Sequence, residues 1–418
     1  MNAVRRAGRR RVRGVYPGGR VSATTPYWLD EPYTPRPPLD GPAEVDACVI
    51  GGGVGGLSCA RALGRYGLRT LVLEGRTVAG GASGRNGGFL LAGAAAFHVD
   101  ARERYGRDAA RRLYARTLAA QEEVFALARE LRAGDAVRRV GCLRLAASPE
   151  EAEHVVRHYE ALREDGFPAE LVEGDDLPAV LRRIGSVACV TAHDGALQPA
   201  RWIRTLARAA EREGVTIHEG TPVAGPIPAP GEGGLRTPRG TVRAAHVVVA
   251  ADGALPQLVP EYADRIRSRR LHMVATAPLG EPILDRIVYT RWGIEYFQQL
   301  PDGRLACGGF GDVDGERSYT TVEEGDPAIW ARLERYVQTD LGLGDAQVTH
   351  RWVGVVGYGD DGRPFVGPVP GREGLHVLGG YSGTGNLVGF VAGEAVAERI
   401  ATGHSADLGL FAADRVAG

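Results

Sequence analysis

The sequence predicts an α/β protein in which a doubly wound, parallel-sheet domain is interleaved with an α+β domain built on an antiparallel sheet. Three observations carry this. A strand, a glycine turn, a helix and a second strand follow one another over 45–74, the span of one βαβ unit. Short strand patterns separated by turns fill 271–308, which reads as an antiparallel run. The α/β style then returns with a strand at 375–378, a glycine turn and a helix over 386–402.

At 418 residues the chain exceeds what one core supports, so two domains are expected. Residues 1–25, arginine-rich and without a signal-like apolar stretch, are expected to be a disordered basic extension. The proline-rich stretch 26–44 reads as an extended arm laid over the surface. Strands are expected at 45–50 and 70–74, with a helix over 57–66 between them. Helical spacing over 101–132 predicts a helix or helix pair, followed by a strand at 141–147 and a solvent-facing helix over 149–164. A helix over 197–213 enters at Pro199, strands follow at 215–218 and 244–251, and 222–234 is a loop. The antiparallel run has strands at 271–277, 287–290, 294–300 and 304–308. This assigns 26–100, 186–260 and 350–418 to the parallel domain, and 101–185 and 261–349 to the other.

Composition excludes several classes. The net charge of −1 gives no basic field to gather nucleic acid. No run of about 20 apolar residues is present to span a bilayer. The five cysteines are scattered without a C-x-x-C pair, which argues against a disulfide scaffold or zinc site and suits buried free thiols in a reducing cytoplasm. The sequence has no lysine, so all 50 basic residues are arginine and Schiff-base catalysis by the protein is excluded. No G-x-S-x-G elbow is present, which disfavours a serine hydrolase. His154 and His158, four apart on a helix, lack a third ligand and read as a solvated face rather than a metal site. Oligomeric state is not encoded in any of these patterns.

Gly51-Gly52-Gly53-Val54-Gly55-Gly56 satisfies G-x-G-x-x-G between a strand and a helix. The turn needs positive φ, the backbone must approach a pyrophosphate, and the helix must pack tightly on the strand. The helix start offers free N–H groups to the phosphates. Glu74 closes the second strand, where a carboxylate accepts hydrogen bonds from ribose hydroxyls. Gly75, Arg76, Val223 and Ala251 complete the expected surroundings of that end. The choice of nucleotide follows from two further loops. Gly81-Ala82-Ser83-Gly84-Arg85-Asn86-Gly87-Gly88 comes directly after the βαβ unit, where an extended flavin needs small residues and a nicotinamide does not. Gly379-Gly380-Tyr381-Ser382-Gly383-Thr384-Gly385-Asn386 opens the last helix, whose N-terminus suits the flavin N1–C2=O edge. FAD is the expected cofactor. No second G-x-G-x-x-G follows a later strand, so an enzyme with two nucleotides is disfavoured.

With these loops in place the chain resembles the D-amino-acid oxidase superfamily of FAD enzymes over nearly its whole length beyond residue 26. The most specific pieces are Tyr27-Trp28-Leu29-Asp30 with Arg36-Pro37-Pro38-Leu39, the loop from Gly81 to Gly88, Asp194-Gly195 with Pro199, and Asp361-Gly362-Arg363-Pro364. The lead-in and Gly-Arg-Asn-Gly-Gly text look closest to the γ-glutamylputrescine oxidase branch. The resemblance implies a Rossmann-like FAD domain (GR2-type) with a substrate domain on an antiparallel sheet. It implies oxidation of a C–N bond in a small amine or amino acid by hydride transfer to flavin N5. The imine is then hydrolysed and dioxygen reduced to hydrogen peroxide. Two departures stand out. Where the glycine-oxidase type has a carboxylate-gripping arginine after Trp352-Val353-Gly354, this chain has Val356, leaving Arg291 and Arg351 either as substitutes or as surface salt-bridge partners. Where the sarcosine-oxidase type has an oxygen-activating lysine, this chain has Ala306, with Arg304 or His272 as the alternative cation. The FAD is expected to be non-covalent. Tyr381, Arg291, Tyr296 and His272 are the catalytic candidates, while Tyr289, Trp292, Tyr296 and Phe297 either line the pocket or fill the core. A dehydrogenase with another electron acceptor, and a non-catalytic FAD-binding interaction protein, remain the alternatives.

Overall fold

The strand Ala43–Ile50 is buried on both sides over its last four residues, as a central strand of a parallel sheet must be. It pairs in parallel with Gly240–Val249 and with Thr70–Leu73. Leu375–Gly379 and Thr216–His218 extend the sheet on either side, again in parallel. The antiparallel strand Phe365–Pro368 closes one edge. Alternation divides the core. Ala47 and Val49 pack with Leu57, Ile203 and Val391 of three helices on one face, and Cys48 and Ile50 with Tyr262 and Phe365 on the other. The structure is a computed structural model that describes residues 24–411. The basic extension expected over 1–25 therefore lies, through residue 23, outside the described residues. All five cysteines are buried and unpaired, and no helix of the described residues is long and apolar enough to cross a membrane.

The second sheet has eight strands, in the order Val348–Gly359, Ile266–Thr276, Leu305–Gly309, Glu295–Gln299, Ile287–Thr290, Cys142–Leu145, Val187–Thr191 and Glu170–Glu173. Neighbours run antiparallel except Ile287–Thr290 beside Cys142–Leu145. The edge strand Val348–Gly359, which sequence periodicity did not pick out, pairs with Ile266–Thr276 along its length. It and Val187–Thr191 belong to this sheet, so the boundaries expected at 350 and 186 fall elsewhere. Helix Pro327–Arg335 backs the sheet through Trp330. A small third sheet of Phe89–Leu90, Gly195–Leu197 and Val137–Arg139 ties the two parts together.

The helix pair is His98–Tyr105 and Arg107–Glu130, broken at Gly106 with φ +84°. Helix Pro149–Glu164 starts on Ser148, whose hydroxyl accepts from the Glu151 N–H. It is not simply solvent-facing. His158 is buried, its ring edge-on to Phe97, its Nδ1 accepting from the His98 N–H, and burial holds its pKa well below the usual value. His154 meets Asp100 instead, which replaces the solvated-face reading of both.

Helix Gly385–Thr402 crosses helix Val54–Arg65 at unusually short range. Gly389 and Gly393, one turn apart on the last helix, face the first. A Cβ on Gly393 would lie 2.4 Å from the Gly55 carbonyl oxygen and 2.8 Å from the Cys59 nitrogen. Only glycine allows the two backbones to meet, and the contact aligns both helix starts on one cavity.

Candidate active site

The first glycine turn is compressed against neighbouring strands. Gly51 has φ +116°, and a Cβ there would lie 2.4 Å from the Ala250 carbonyl oxygen. A Cβ on Gly56 would strike the Gly51 oxygen at 2.1 Å. These two glycines shape the turn from behind, while Gly53, Val54 and Gly55 line the cavity in front. The Val54 N–H donates to Ser83 Oγ at 3.0 Å, joining the helix start to the second loop. Glu74 accepts from the Gly52 and Arg76 N–H groups, each at 2.7 Å. Burial pushes its carboxyl up and the two N–H groups oppose that.

In the second loop, Ala82, Ser83, Arg85, Asn86 and Gly87 line the cavity. Arg85 donates to the Gly80 carbonyl at 2.8 Å and pairs with Glu323 at 3.5 Å. The backbone of this loop is held from outside by two indoles. Trp28 Nε1 donates to the Asn86 carbonyl at 2.8 Å and Trp352 Nε1 to the Arg85 carbonyl at 2.9 Å. The arm therefore does more than cover the surface, because Trp28 is fully buried in the main core. Asn86 and Asn386 exchange amide hydrogen bonds of 3.1 and 3.0 Å, and Asn386 also donates to the Phe89 carbonyl at 2.9 Å. This pair, not foreseen as such, locks the second loop to the start of the last helix.

The third loop contributes Tyr381, Ser382, Gly383, Thr384 and Gly385 to the cavity. Gly380 sits behind them with φ +71°. Asp252, which sequence reading passed over, anchors this loop. It is half-buried and accepts from the Gly357 N–H at 2.8 Å, the Gly380 N–H at 3.0 Å and the Tyr381 N–H at 3.4 Å. One carboxylate thus joins the parallel sheet's end, the third loop and the second sheet's edge strand.

The resulting cavity has a volume of about 350 Å³. On one side are the two helix starts and the glycine loops. On the other is a face of the second sheet, where Leu271, Met273, Val356, Tyr358 and Tyr296 alternate inward. Tyr296 lies over Gly87 and Gly308, where Cβ atoms would come 2.8 and 2.4 Å from its ring. Tyr289 stands 5.0 Å edge-on from Phe89, and Trp292 closes the rim, half exposed. Phe297, with the opposite parity, fills the second core. Tyr381 is wedged between the two crossing helices with its hydroxyl toward Gly55 and without a hydrogen-bond partner among the described residues.

Several expected residues lie elsewhere. His272 faces away from the cavity, since its strand neighbours Leu271 and Met273 take the inward positions. Its Nε2 accepts from the Asp326 N–H, its ring meets Trp330, and burial lowers its pKa to about 4. Arg291 is committed to Glu295 at 3.1 Å and Asp312 at 2.6 Å. Arg351 is paired with Glu334 and Arg304 with Asp302. Glu74, Gly75, Arg76, Gly81, Gly88, Val223 and Ala251 are outside the lining of the cavity. Arg76 pairs with Glu323, and Val223 and Ala251 pack against the core on the far face of the parallel sheet.

The donor set fits an elongated anionic dinucleotide. Two helix N-termini, with backbone N–H groups left over by the helical pattern, open into one cavity. Its single acidic side chain among the described lining residues, Asp252, is already engaged by backbone donors.

Comparison with known proteins agrees with this geometry. Residues 46–399 match the family model described as FAD dependent oxidoreductase. A probable oxidoreductase OrdL of Rhizobium meliloti is 29% identical over 92% of this chain and 90% of its own length. The gamma-glutamylputrescine oxidoreductase of Escherichia coli is 27% identical over 88% of this chain and 86% of its own. The crystal structure of glycine oxidase from Geobacillus kaustophilus superposes with a TM-score of 0.76 at 23% identity, covering 89% of this chain and 99% of that one. At that identity the match speaks for the fold.

Proposed function

This chain belongs to the FAD dependent oxidoreductase family, and from that premise we propose that it oxidises a C–N bond in an amine or an N-substituted amino acid. Non-covalent FAD is the cofactor and dioxygen the electron acceptor, in a cytoplasmic setting that suits the buried thiols. FAD, when bound, supplies the hydride acceptor at N5. Gly53, Val54 and Gly55 with Ser83, and Thr384 and Gly385, are the groups to hold it, and Glu74 with its neighbours Gly75 and Arg76 the groups for its ribose end. Tyr296, Tyr289 and Tyr358 form an aromatic wall that excludes water and orients the substrate. Burial raises the pKa of all three phenols, so they stay protonated at neutral pH.

The observation that carries the reading is what the cavity lacks. No histidine or cysteine is among its described lining residues. Each of its serine and threonine hydroxyls is tied to the backbone: Ser83 to Val54, Ser382 to Gly359, Thr384 to the Tyr381 carbonyl. Such a site offers no free nucleophile, and its one carboxyl among the described residues, Asp252, is held by three backbone N–H groups, which suits a reaction driven by positioning. The names of two relatives, an oxidoreductase of gamma-glutamylputrescine and a glycine oxidase, support nitrogen substrates. The test is anaerobic mixing of the yellow protein with a panel of primary and secondary amines, with and without a carboxylate. Bleaching by at least one is expected, and none by any overturns the reaction class. The absence of lysine favours a second reading for the acceptor, in which electrons pass to a carrier other than oxygen. Stoichiometric hydrogen peroxide under air excludes it.

A further inference from the structure

Among the described residues that line the cavity, four are exposed: Ala95, Ala96, Gly383 and Trp292. These four frame the mouth. Three of them are among the smallest residues, and the fourth is the largest side chain, 44% exposed. An indole left in water at an opening is unfavourable apolar surface, and its backbone is unfavourable as well. Trp292 sits in the turn between Ile287–Thr290 and Glu295–Gln299, where Arg291, Trp292 and Gly293 have φ of +47°, +59° and +78°. Left-handed runs of this kind suit glycine, asparagine or aspartate, and only the third position here is glycine. A bulky residue persists in such a conformation where its surroundings over-determine it.

Three supports do so. The Gly293 and Ile294 N–H groups donate to the Thr290 and Arg291 carbonyls at 3.1 and 3.0 Å, closing the turn. Arg291 is tied down by Glu295 and Asp312. The third support comes from a different element. Glu151, in the first turn of helix Pro149–Glu164, is 1% exposed. One of its oxygens accepts from the Ala147 N–H at 2.8 Å and the other from the Trp292 N–H at 2.6 Å. The same helix supplies His154, whose ring centroid lies 4.8 Å from that of the indole, and Phe97 meets the indole edge-on at 5.8 Å. Backbone and ring of Trp292 are thus both fixed, at the one place where the cavity meets solvent.

We propose that Trp292 is a size filter at the cavity mouth, limiting the bulk of what reaches the flavin, and that Glu151 is the residue that positions it. The inference goes beyond the amine-oxidising reading, because such a filter acts on any molecule that must touch the flavin. It rests only on FAD occupying the cavity.

The experiment uses the full-length FAD-loaded protein without oxygen and two hydride donors that differ only in bulk, N-methyl- and N-benzyl-1,4-dihydronicotinamide. Each passes hydride from its C4 to flavin N5 and leaves as the pyridinium, so bleaching of the flavin reads contact without an amine substrate. Trp292→Gly fits φ +59° without strain. In it the benzyl-to-methyl rate ratio should rise by about 10-fold or more, the size of steric discrimination in an apolar pocket. Trp292→Phe should fall between. Glu151→Ala should move the ratio in the same direction, and Glu151→Gln, which keeps one acceptor, should recover part of the parent's value. Glu151→Ala should add little on top of Trp292→Gly, since both act through one side chain. If Glu151→Ala fails to hold FAD, the partial shift in Glu151→Gln makes the comparison. The filter is overturned if the ratio ignores Trp292, or if neither compound bleaches Trp292→Gly. The positioning role is overturned if the ratio follows Trp292 but ignores the Glu151 variants. Failure of the amine panel to bleach the flavin would sink the amine reading and leave the filter standing.

Discussion

Replacing Gly393 by alanine tests whether the crossing of the two cavity-facing helices is set by backbone contact. The added methyl would start 2.4 Å from the Gly55 oxygen and 2.9 Å from Ser58 Cβ. Carbon–oxygen contacts settle at about 3.3 Å or more, so the helices would have to part by roughly 1 Å. Neither obstacle is the flexible end of a side chain. Overpacking of this kind costs about 1–3 kcal/mol, and a backbone clash belongs at the upper end. Alanine in a helix returns about 1 kcal/mol, leaving a net loss of roughly 2 kcal/mol. For a chain of 418 residues, with an unfolding entropy of about 0.9 kcal/mol/K, that is a melting temperature lower by about 2–3 °C. Gly389→Ala is the internal control, because its nearest contact is a Val54 methyl at 3.0 Å that can give way, and it should melt close to the parent. Thermal unfolding followed by circular dichroism and by flavin fluorescence release makes the comparison, with FAD affinity from equilibrium dialysis. If Gly393→Ala melts within about 1 °C of the parent with FAD affinity unchanged, or if Gly389→Ala is the more damaging change, the close-contact account is wrong.

Three other outcomes follow from the site. Asn386→Leu removes both halves of the amide exchange with Asn86, at about 1 kcal/mol per hydrogen bond. FAD should be held more weakly, and adding Asn86→Ala should cost much less than the sum of the single changes; strict additivity in dialysis would show that the pair does not act as a unit. Glu295 is fully buried between Arg291 and Phe310, and burial raises its pKa to about 7. A raised carboxyl contributes stability below its unfolded pKa that is lost as pH climbs through the folded one. Urea unfolding should therefore weaken by on the order of 2 kcal/mol between about pH 5.5 and 8.5, and Glu295→Gln should flatten that slope; equal slopes would contradict it. Because no histidine or cysteine is among the described lining residues, kcat/KM should rise with pH at the pKa of the amine itself. The inflection should shift when the amine is changed, and a fixed inflection for all amines would point to a protein base instead.

The nucleotide turn was legible because its information is local. Glycines at set spacing between a strand and a helix describe one turn completely, and the three glycine loops do meet at one cavity. What escaped sequence reading depends on pairing between distant segments. Asp252 sits in unremarkable text, and its importance lies in N–H groups at 357, 380 and 381. His272 and Arg269 are three apart on one strand, so they point to opposite faces, and only the register decides which face meets the cavity. A reading that favoured the histidine for its chemistry chose the wrong parity. The strand Val348–Gly359 was missed because glycines and charged residues interrupt its alternation; its glycines at 354 and 357 exist to let Arg85 and Asp252 approach.

The segment ahead of the first strand carries a practical lesson. Glu219 is buried and takes three donors, the Tyr33 hydroxyl, the Arg36 N–H and the Val78 N–H. Two of these belong to residues that precede every recognisable nucleotide-fold element, as does the Trp28 indole beneath Asn86. A shortened protein begun at Ala43 would look whole by every motif test, yet would strand an anion in the interior and unpin the turn meant to receive the coenzyme.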